Sequence, residues 1–184
     1  PTFIEARRQF ILSQIVSLSI KEELDEWTKG ISIKWPNDIY WNEKKICGIL
    51  IENDLSGHHI GRSISGIGVN INQETFRSDA PNPVSLKQIT GQEHERYLIL
   101  ANIMRRLKEY YILLQTDSSG NAANCIAERY ARSLFRREGF HRYADADGEF
   151  LARLLCVEPD GRFILEDQAG KVRGYLFKEV QYIL

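Results

Sequence analysis

Residues 31–52, I-S-I-K-W-P-N-D-I-Y-W-N-E-K-K-I-C-G-I-L-I-E, constrain the fold of this chain more than any other stretch. Ile31 and Ile33 alternate with polar residues, which is the period of a half-buried strand. The run from Lys45 to Ile51 is apolar almost throughout, which predicts a strand covered on both faces. Pro36 has no N–H to give to a sheet ladder, so the first strand should end just before it. The polar residues between the two runs therefore lie at strand ends, where α/β proteins often place ligands and chemistry.

A cluster of charged and amide side chains occupies this junction. Lys34, Asn37 and Asp38 fall within one short segment, and Lys45 enters the next strand. Asn and Asp after a proline are ordinary turn formers, and lysines are common on surfaces, so composition alone favours a structural role. The order of the residues favours a chemical role.

K-W-P-N-D, followed after a short gap by K-I-C-G-I-L-I-E, resembles the signature of the biotin–protein ligases. Further along, S-G-I-G-V-N-I-N at residues 65–72 is similar to a G-x-G-x-N-x-N segment of that family. Gly66 and Gly68 lack the rest of a Rossmann fingerprint, and glycines inside a strand can simply relieve crowding. The resemblance favours the other interpretation, in which they let a flat ligand approach the backbone.

The resemblance implies a reaction in two steps. The biotin carboxylate attacks the α-phosphate of ATP to give biotinyl-adenylate and pyrophosphate, and a carrier-protein lysine then attacks the mixed anhydride to form an amide and release AMP. ATP, biotin and Mg²⁺ are the implied ligands. The implied partner is the biotin carboxyl carrier protein of acetyl-CoA carboxylase or of a related carboxylase, and the family also allows a homodimer.

The family's functional residues can be carried over position by position. Lys45 matches the lysine that contacts the biotin carboxylate and the α-phosphate, and Asp38 matches the aspartate proposed to orient or deprotonate the acceptor lysine. Asn70 matches the asparagine that reads adenine, while Lys34 and Asn37 would line the phosphate side. The positions that match the biotin pocket are Lys45, Gly48, Leu50, Gly66 and Gly68. No protein metal site is expected.

Periodicity predicts the elements around this stretch. A long helix should run from about Phe3 to Trp27 behind a Thr2–Glu5 capping box, and the second and third strands should form a hairpin. A loop is expected over residues 76–83, a short turn or helix over residues 85–90, and longer helices over residues 93–115 and 122–137.

Four short strand-like runs follow Gly139, which predicts a small β-barrel. The biotin–protein ligases end in an SH3-like domain, so the resemblance extends to this region. We therefore expect an α+β fold of the class II synthetase and biotin ligase type. A mixed sheet flanked by helices would form a catalytic domain over residues 1–138, and an SH3-like barrel would occupy residues 139–184.

Composition excludes several other classes. The chain has 24 basic and 25 acidic residues, so no global field favours nucleic acid. It has no apolar run long enough for a membrane span and no secretory leader pattern at its start. Cys47, Cys125 and Cys156 are odd in number and widely spaced, which predicts free thiols in a reducing compartment. We therefore expect a cytoplasmic protein with neither membrane nor nucleic-acid partners.

One family feature is not found in this sequence, and three alternatives remain open. The family's G-R-G-R-x-G-R loop lies before the first long helix and closes over the adenylate, so we expect that an upstream segment is missing. Pro1–Leu184 alone should then fold around its sheet but fail to hold biotinyl-adenylate. The alternatives are a lipoate or octanoate ligase-like enzyme, whose relatives lack K-W-P-N-D, a non-catalytic carrier-binding module, and a nucleic-acid binder through the terminal barrel.

Overall fold

The structure is a computed structural model that describes residues 1–77 and 82–183. Helices flank two β-sheets within these ranges. The helices are α1 (Phe10–Asp25), α2 (Leu86–Thr90), α3 (Arg96–Thr116) and α4 (Asn121–Arg132). The first sheet contains β1 (Ile31–Lys34), β2 (Asp38–Trp41), β3 (Lys44–Ser56) and β4 (His59–Val69). The second sheet contains β5 (His141–Asp145), β6 (Gly148–Val157), β7 (Phe163–Asp167), β8 (Val172–Tyr175) and β9 (Gln181–Tyr182).

The first sheet has the order β1-β2-β3-β4, and each neighbouring pair is antiparallel. β3 and β4 form a long hairpin that turns at Gly57 and His58, which confirms the predicted hairpin. Parallel pairing among the described residues is limited to isolated bridges, Ile33 with Leu134 and Lys45 with Pro83. A mixed sheet was predicted, but the named strands pair antiparallel and parallel pairing occurs at these two bridges.

Helix α1 packs against β1 and against α3 and α4. The prediction that it begins at about Phe3 behind a capping box is wrong. The chain before it pairs with β4 instead, because Ile4 O accepts from Ile60 N at 3.0 Å and Ala6 N donates to His58 O at 2.9 Å. A 3₁₀ turn at Ala6–Arg8 follows, and α1 starts at Phe10 with no side-chain cap. Pairing with the sheet has overridden the local capping signal.

The other predicted elements have different outcomes, and one helix boundary moves for a similar reason. The helix predicted over residues 122–137 ends at Arg132, since Ile33 N donates to Ser133 O and Phe135 N donates to Ile33 O, both at 2.8 Å. The short helix over residues 85–90 is confirmed as α2, with a capping box between Ser85 and Gln88 and a left-handed Gly91 at its end. Of the loop predicted over residues 76–83, residues 78–81 lie outside the described ranges.

Strand β3 is covered on one face and not on both, so this prediction is wrong. Cys47 and Ile49 are buried in the core, whereas the side chain of Leu50, which follows them in the strand, is 62% exposed. Helix α1 contacts β1 and β2 of this sheet, whereas Leu50 on the other face is open to solvent.

The second sheet has the order β8-β7-β6-β5-β9, with antiparallel pairs throughout. β5 was not predicted, because H-R-Y-A-D is short and largely polar. The named strands of the described residues show no β8–β9 pairing, so closure into a barrel is not confirmed. The division at residue 138 stays a prediction, and one hydrophobic core includes buried residues from both sides of it.

None of the helices in the described ranges combines the length and apolar character needed to cross a bilayer.

Candidate active site

Four of the predicted site residues form one row across the first sheet. Lys34 of β1 is the cross-strand partner of Asp38 in β2, Asp38 is the partner of Gly48 in β3, and Gly48 is the partner of Gly68 in β4. Directly paired residues of an antiparallel sheet project to the same face, so the row lies on one side. Leu50 pairs with Gly66 two residues further along β3, on this same face. The sheet register therefore gathers residues that are far apart in the sequence.

Lys45 joins this row through its side chain. Its Nζ lies 2.7 Å from Asp38 Oδ1, and the two side chains are 27% and 22% exposed. The backbone of Lys45 is fixed by the segment opposite, since Lys45 N donates to Asn82 O and Val84 N donates to Lys45 O, both at 2.9 Å. The result is an ammonium and a carboxylate held together at the rim of the open sheet face.

The three glycines on this face serve two different purposes. A Cβ added to Gly48 would lie 3.3 Å from Lys45 Cε and 3.4 Å from its Nζ, so the end of the lysine side chain would have to shift by a few tenths of an ångström. A Cβ at Gly66 or Gly68 would meet only backbone oxygens, at 3.8 and 3.9 Å, which is ordinary contact. Gly66 and Gly68 thus do not relieve crowding within the fold. They leave a bare stretch of backbone facing outward, beside the exposed side chain of Leu50.

Lys34 lies in an aromatic environment at the other end of the row. Its Nζ donates to Tyr40 Oη at 3.0 Å and lies 4.8 Å from the centroid of the Tyr40 ring and 5.0 Å from that of Tyr182. Burial lowers the pKa of Lys34, and the charge of Asp38 opposes that shift. Both tyrosines were missed in the sequence. Tyr182 belongs to β9 at the far end of the chain, so no local pattern connects it to Lys34.

The hydrogen-bonding groups of Asn37 bond to strand β3. Its Nδ2 donates to Ile49 O at 2.6 Å, and its backbone oxygen accepts from Ile49 N at 2.9 Å. These bonds clamp the turn that follows β1 onto β3. A contact between Asn37 and a nucleotide stays a prediction.

Asn70 follows β4 and bonds to Ile46, the residue after Lys45 in β3. Its N–H donates to Ile46 O at 2.9 Å, and its carbonyl accepts from Leu86 N at 3.0 Å. A single backbone pairing therefore places Asn70 opposite Ile46, one residue after Lys45.

Trp35 contacts the second sheet, which the sequence did not predict. Its indole N–H donates to Gly161 O at 2.9 Å, and its ring stacks on Phe163 with centroids 4.8 Å apart. The K-W-P-N-D segment is thus anchored to the second sheet. A cleft of about 460 Å³ lies between them, lined by Lys34, Asn37 and Asp38 on one side and by Phe177, Lys178 and Gln181 on the other.

The arrangement can bind an anion and move a proton. The Lys45 ammonium can attract negative charge, and the Asp38 carboxylate can accept from a donor. Within the described ranges, no group of three or more His, Cys, Asp or Glu side chains is placed to hold a metal ion.

Comparisons with known proteins show which proteins this chain is similar to. Residues 3–70 match the model of the Biotin/lipoate A/B protein ligase family. The Bifunctional ligase/repressor BirA of Bacillus spizizenii is 30% identical over 148 residues, covering 78% of this chain and 44% of that protein. The Biotin–[acetyl-CoA-carboxylase] ligase of Paracoccus denitrificans is 31% identical over 153 residues, covering 77% of this chain and 59% of that protein. The chain therefore spans about half the length of the curated relatives it matches.

A solved structure resembles the whole described fold. The biotin protein ligase from Aquifex aeolicus in complex with biotin and ATP superimposes with a TM-score of 0.73 at 25% identity. The match covers 95% of this chain and 72% of that one.

Proposed function

We propose that this chain, whose residues 3–70 match the Biotin/lipoate A/B protein ligase family, catalyses the ATP-dependent attachment of biotin to a lysine of a carrier protein. The observation that carries the proposal is the row from Lys34 through Asp38 and Gly48 to Gly68, with Lys45 Nζ held 2.7 Å from Asp38. It combines a cation, a carboxylate and a bare backbone surface on one face of a sheet.

The first step brings the biotin carboxylate to the α-phosphate of ATP. Two anions must approach each other while negative charge grows on the phosphoryl oxygens. Lys45 is suited to this task because its ammonium is partly withdrawn from water and its backbone is fixed by Asn82 and Val84. A preorganised donor of this kind contributes about 3–4 kcal/mol to stabilising the transition state.

The second step requires an amine that has lost its proton. A free lysine side chain has a pKa of about 10.4, so the acceptor arrives largely protonated at neutral pH. When Lys45 turns toward the phosphate, the Asp38 carboxylate is released to orient the acceptor lysine and to take its proton. The ion pair between Lys45 and Asp38 therefore links the two steps.

The substrates fit the open face of the first sheet. The flat ureido ring of biotin would lie against Gly66 and Gly68, and its aliphatic chain would contact Leu50. The phosphates would lie near Lys45 and Lys34, with Asn37 on the same side, and the adenine near Asn70. Mg²⁺ would enter with ATP, bound through phosphate oxygens and waters.

The wider setting belongs to the same proposal. The partner would be a biotin carboxyl carrier domain, as the name of the Paracoccus relative suggests. Residues 139–184 would act as an SH3-like module, for which the antiparallel sheet β5–β9 gives support. A cytoplasmic location accords with three free cysteines. A second copy of the chain is a further proposed partner, and sedimentation would test it.

The test uses protein expressed from its natural reading frame, incubated with Mg-ATP, biotin and a carboxylase carrier domain. We expect biotin-dependent release of pyrophosphate, followed by biotin on the carrier lysine. Lipoate and octanoate are offered in parallel reactions. If lipoate or octanoate reacts faster than biotin, the substrate of the enzyme is of the lipoyl type. Carrier binding without pyrophosphate release would indicate a non-catalytic module.

A further inference from the structure

The segment that leaves β4 is held in place by the following helix and its flanks. Leu86 N donates to Asn70 O at 3.0 Å and Lys87 N donates to Ile71 O at 2.8 Å. Ser85 Oγ donates to Gln73 O at 2.6 Å, so the helix N-cap also takes part. Each of these bonds is made by a backbone group or a cap, and together they trace the path of the chain beyond Asn70.

Among the described residues, the Asn72 side chain links the segment after β4 to His94, the residue before the N-cap of α3. Its Nδ2 donates to His94 O at 2.9 Å, and His94 N donates to its Oδ1 at 3.0 Å. A single amide thus satisfies both backbone groups of His94, which are part-buried. Replacing it with an apolar side chain would leave a donor and an acceptor without these partners.

His94 is itself firmly seated. Its side chain is buried, its Nε2 lies 2.6 Å from Thr90 Oγ1, and its ring meets the Trp27 ring edge-on with centroids 4.8 Å apart. Burial lowers the pKa of the imidazole, which favours the neutral ring. Asn72 therefore bonds to a fixed point of the core and not to a mobile loop.

We propose that Asn72 is a positioning residue for the nucleotide, because its clasp on His94 fixes the segment that carries Asn70. Asn70 lies two residues upstream, and its backbone is tied to Ile46 beside Lys45. A change in the backbone conformation at Asn72 would therefore alter the position of Asn70. The inference deepens the proposed function and rests on it, since the contact between Asn70 and adenine belongs to that proposal.

The experiment compares Asn72→Ala and Asn70→Ala with the unaltered protein and with Asn102→Ala. Asn102 is a matched control because its amide also makes a part-buried hydrogen bond, 3.1 Å to Glu23 Oε1 on α1, away from the row. Pyrophosphate release gives KM separately for ATP and for biotin. Hydrogen–deuterium exchange of the peptide spanning residues 70–74 reports on the segment without any ligand.

We expect Asn72→Ala to raise the KM for ATP about tenfold, which corresponds to about 1.4 kcal/mol, and to leave the KM for biotin within about twofold. Exchange over residues 70–74 should accelerate about tenfold or more. Asn70→Ala should give the same split between the two KM values without the same acceleration of exchange. Asn102→Ala should change neither the split nor the exchange of this peptide.

Equal rises in both KM values, or an unchanged KM for ATP, would overturn the positioning role while leaving the ligase proposal intact. If the unaltered protein releases no pyrophosphate in response to biotin, the proposed function fails and the nucleotide role of Asn72 fails with it. The exchange data distinguish that case, because accelerated exchange in Asn72→Ala would then record a clasp with a purely structural role.

Discussion

The two sheets of this protein use side-chain volume in opposite ways. The first sheet carries Gly48, Gly66 and Gly68 on a face where Leu50 and Ile64 are 62% and 52% exposed. The second sheet fills its inner face with aromatic rings, and Tyr143 and Phe163 are fully buried there. One sheet leaves room at its surface and the other fills its core. The difference supports the proposal that the first sheet binds a ligand and the second sheet supports it.

The second sheet contacts the first sheet at Trp35 and Lys34. Phe163 stacks on Trp35, and Tyr182 lies against the Lys34 ammonium. Trp35 and Lys34 are neighbours in the K-W-P-N-D segment, so the end of β1 is held by residues from the far end of the chain. Rigid elements behind a site are what keep reactive groups in a productive geometry.

The first prediction compares one residue from each sheet by stability. Phe163→Ala should lower the free energy of unfolding by about 3–5 kcal/mol, because a large buried ring leaves a cavity. Leu50→Ala should change it by less than about 0.5 kcal/mol, because most of the side chain is already in water. Urea denaturation of both variants measures the two values. A loss above about 2 kcal/mol for Leu50→Ala would show that the open face is covered in solution.

The second prediction concerns chemistry on the open face. Lys45→Ala should reduce biotin-dependent pyrophosphate release by about 10²–10³-fold, which matches the loss of one preorganised donor. Stability should change by no more than about 1 kcal/mol, because the ion pair with Asp38 lies near the surface. Lys44→Ala, at the exposed neighbour, is the control. Activity of Lys45→Ala within a few-fold of the unaltered enzyme would remove Lys45 from this role.

The third prediction separates the two steps. Asp38→Asn should lower biotin transfer to the carrier by about 10²-fold, the lower end for loss of a general base, and should affect adenylate synthesis by less than about fivefold. Only the second step needs an acceptor for the amine proton. Single-turnover transfer from preformed adenylate, measured beside pyrophosphate release, gives both numbers. Equal loss in the two steps would argue for a role in ATP binding instead.

The fourth prediction tests the link between the sheets. Trp35→Phe keeps a ring against Phe163 but loses the hydrogen bond to Gly161 O, so the free energy of unfolding should fall by about 1 kcal/mol. Trp41→Phe is a matched control, since its indole donates to Lys29 O at 3.0 Å in an exposed position and should cost less than about 0.5 kcal/mol. Equal losses in thermal unfolding would mean that the buried anchor adds nothing beyond a surface bond.

Local signals in the sequence succeeded where local forces decide the structure. The short helix over residues 85–90 forms as α2, and Gly57 and His58 turn the predicted hairpin between β3 and β4. They failed where backbone groups found partners far along the chain. Thr2 and Glu5 form no cap because residues 4–6 pair with β4, and α4 stops early because the chain after it pairs with β1.

The sequence by itself determined the resemblance to the biotin–protein ligases, because K-W-P-N-D and its companion segments keep that order of residues, and residues 3–70 match the family model. It also supplied the candidate cation and carboxylate, since side-chain chemistry is a property of the residue. Only the tertiary structure decided that Lys34, Asp38, Gly48 and Gly68 share one row, because cross-strand register depends on which strands pair. Only the tertiary structure placed Tyr182 against Lys34 and lowered the pKa of that lysine, because desolvation depends on packing by residues distant in the sequence.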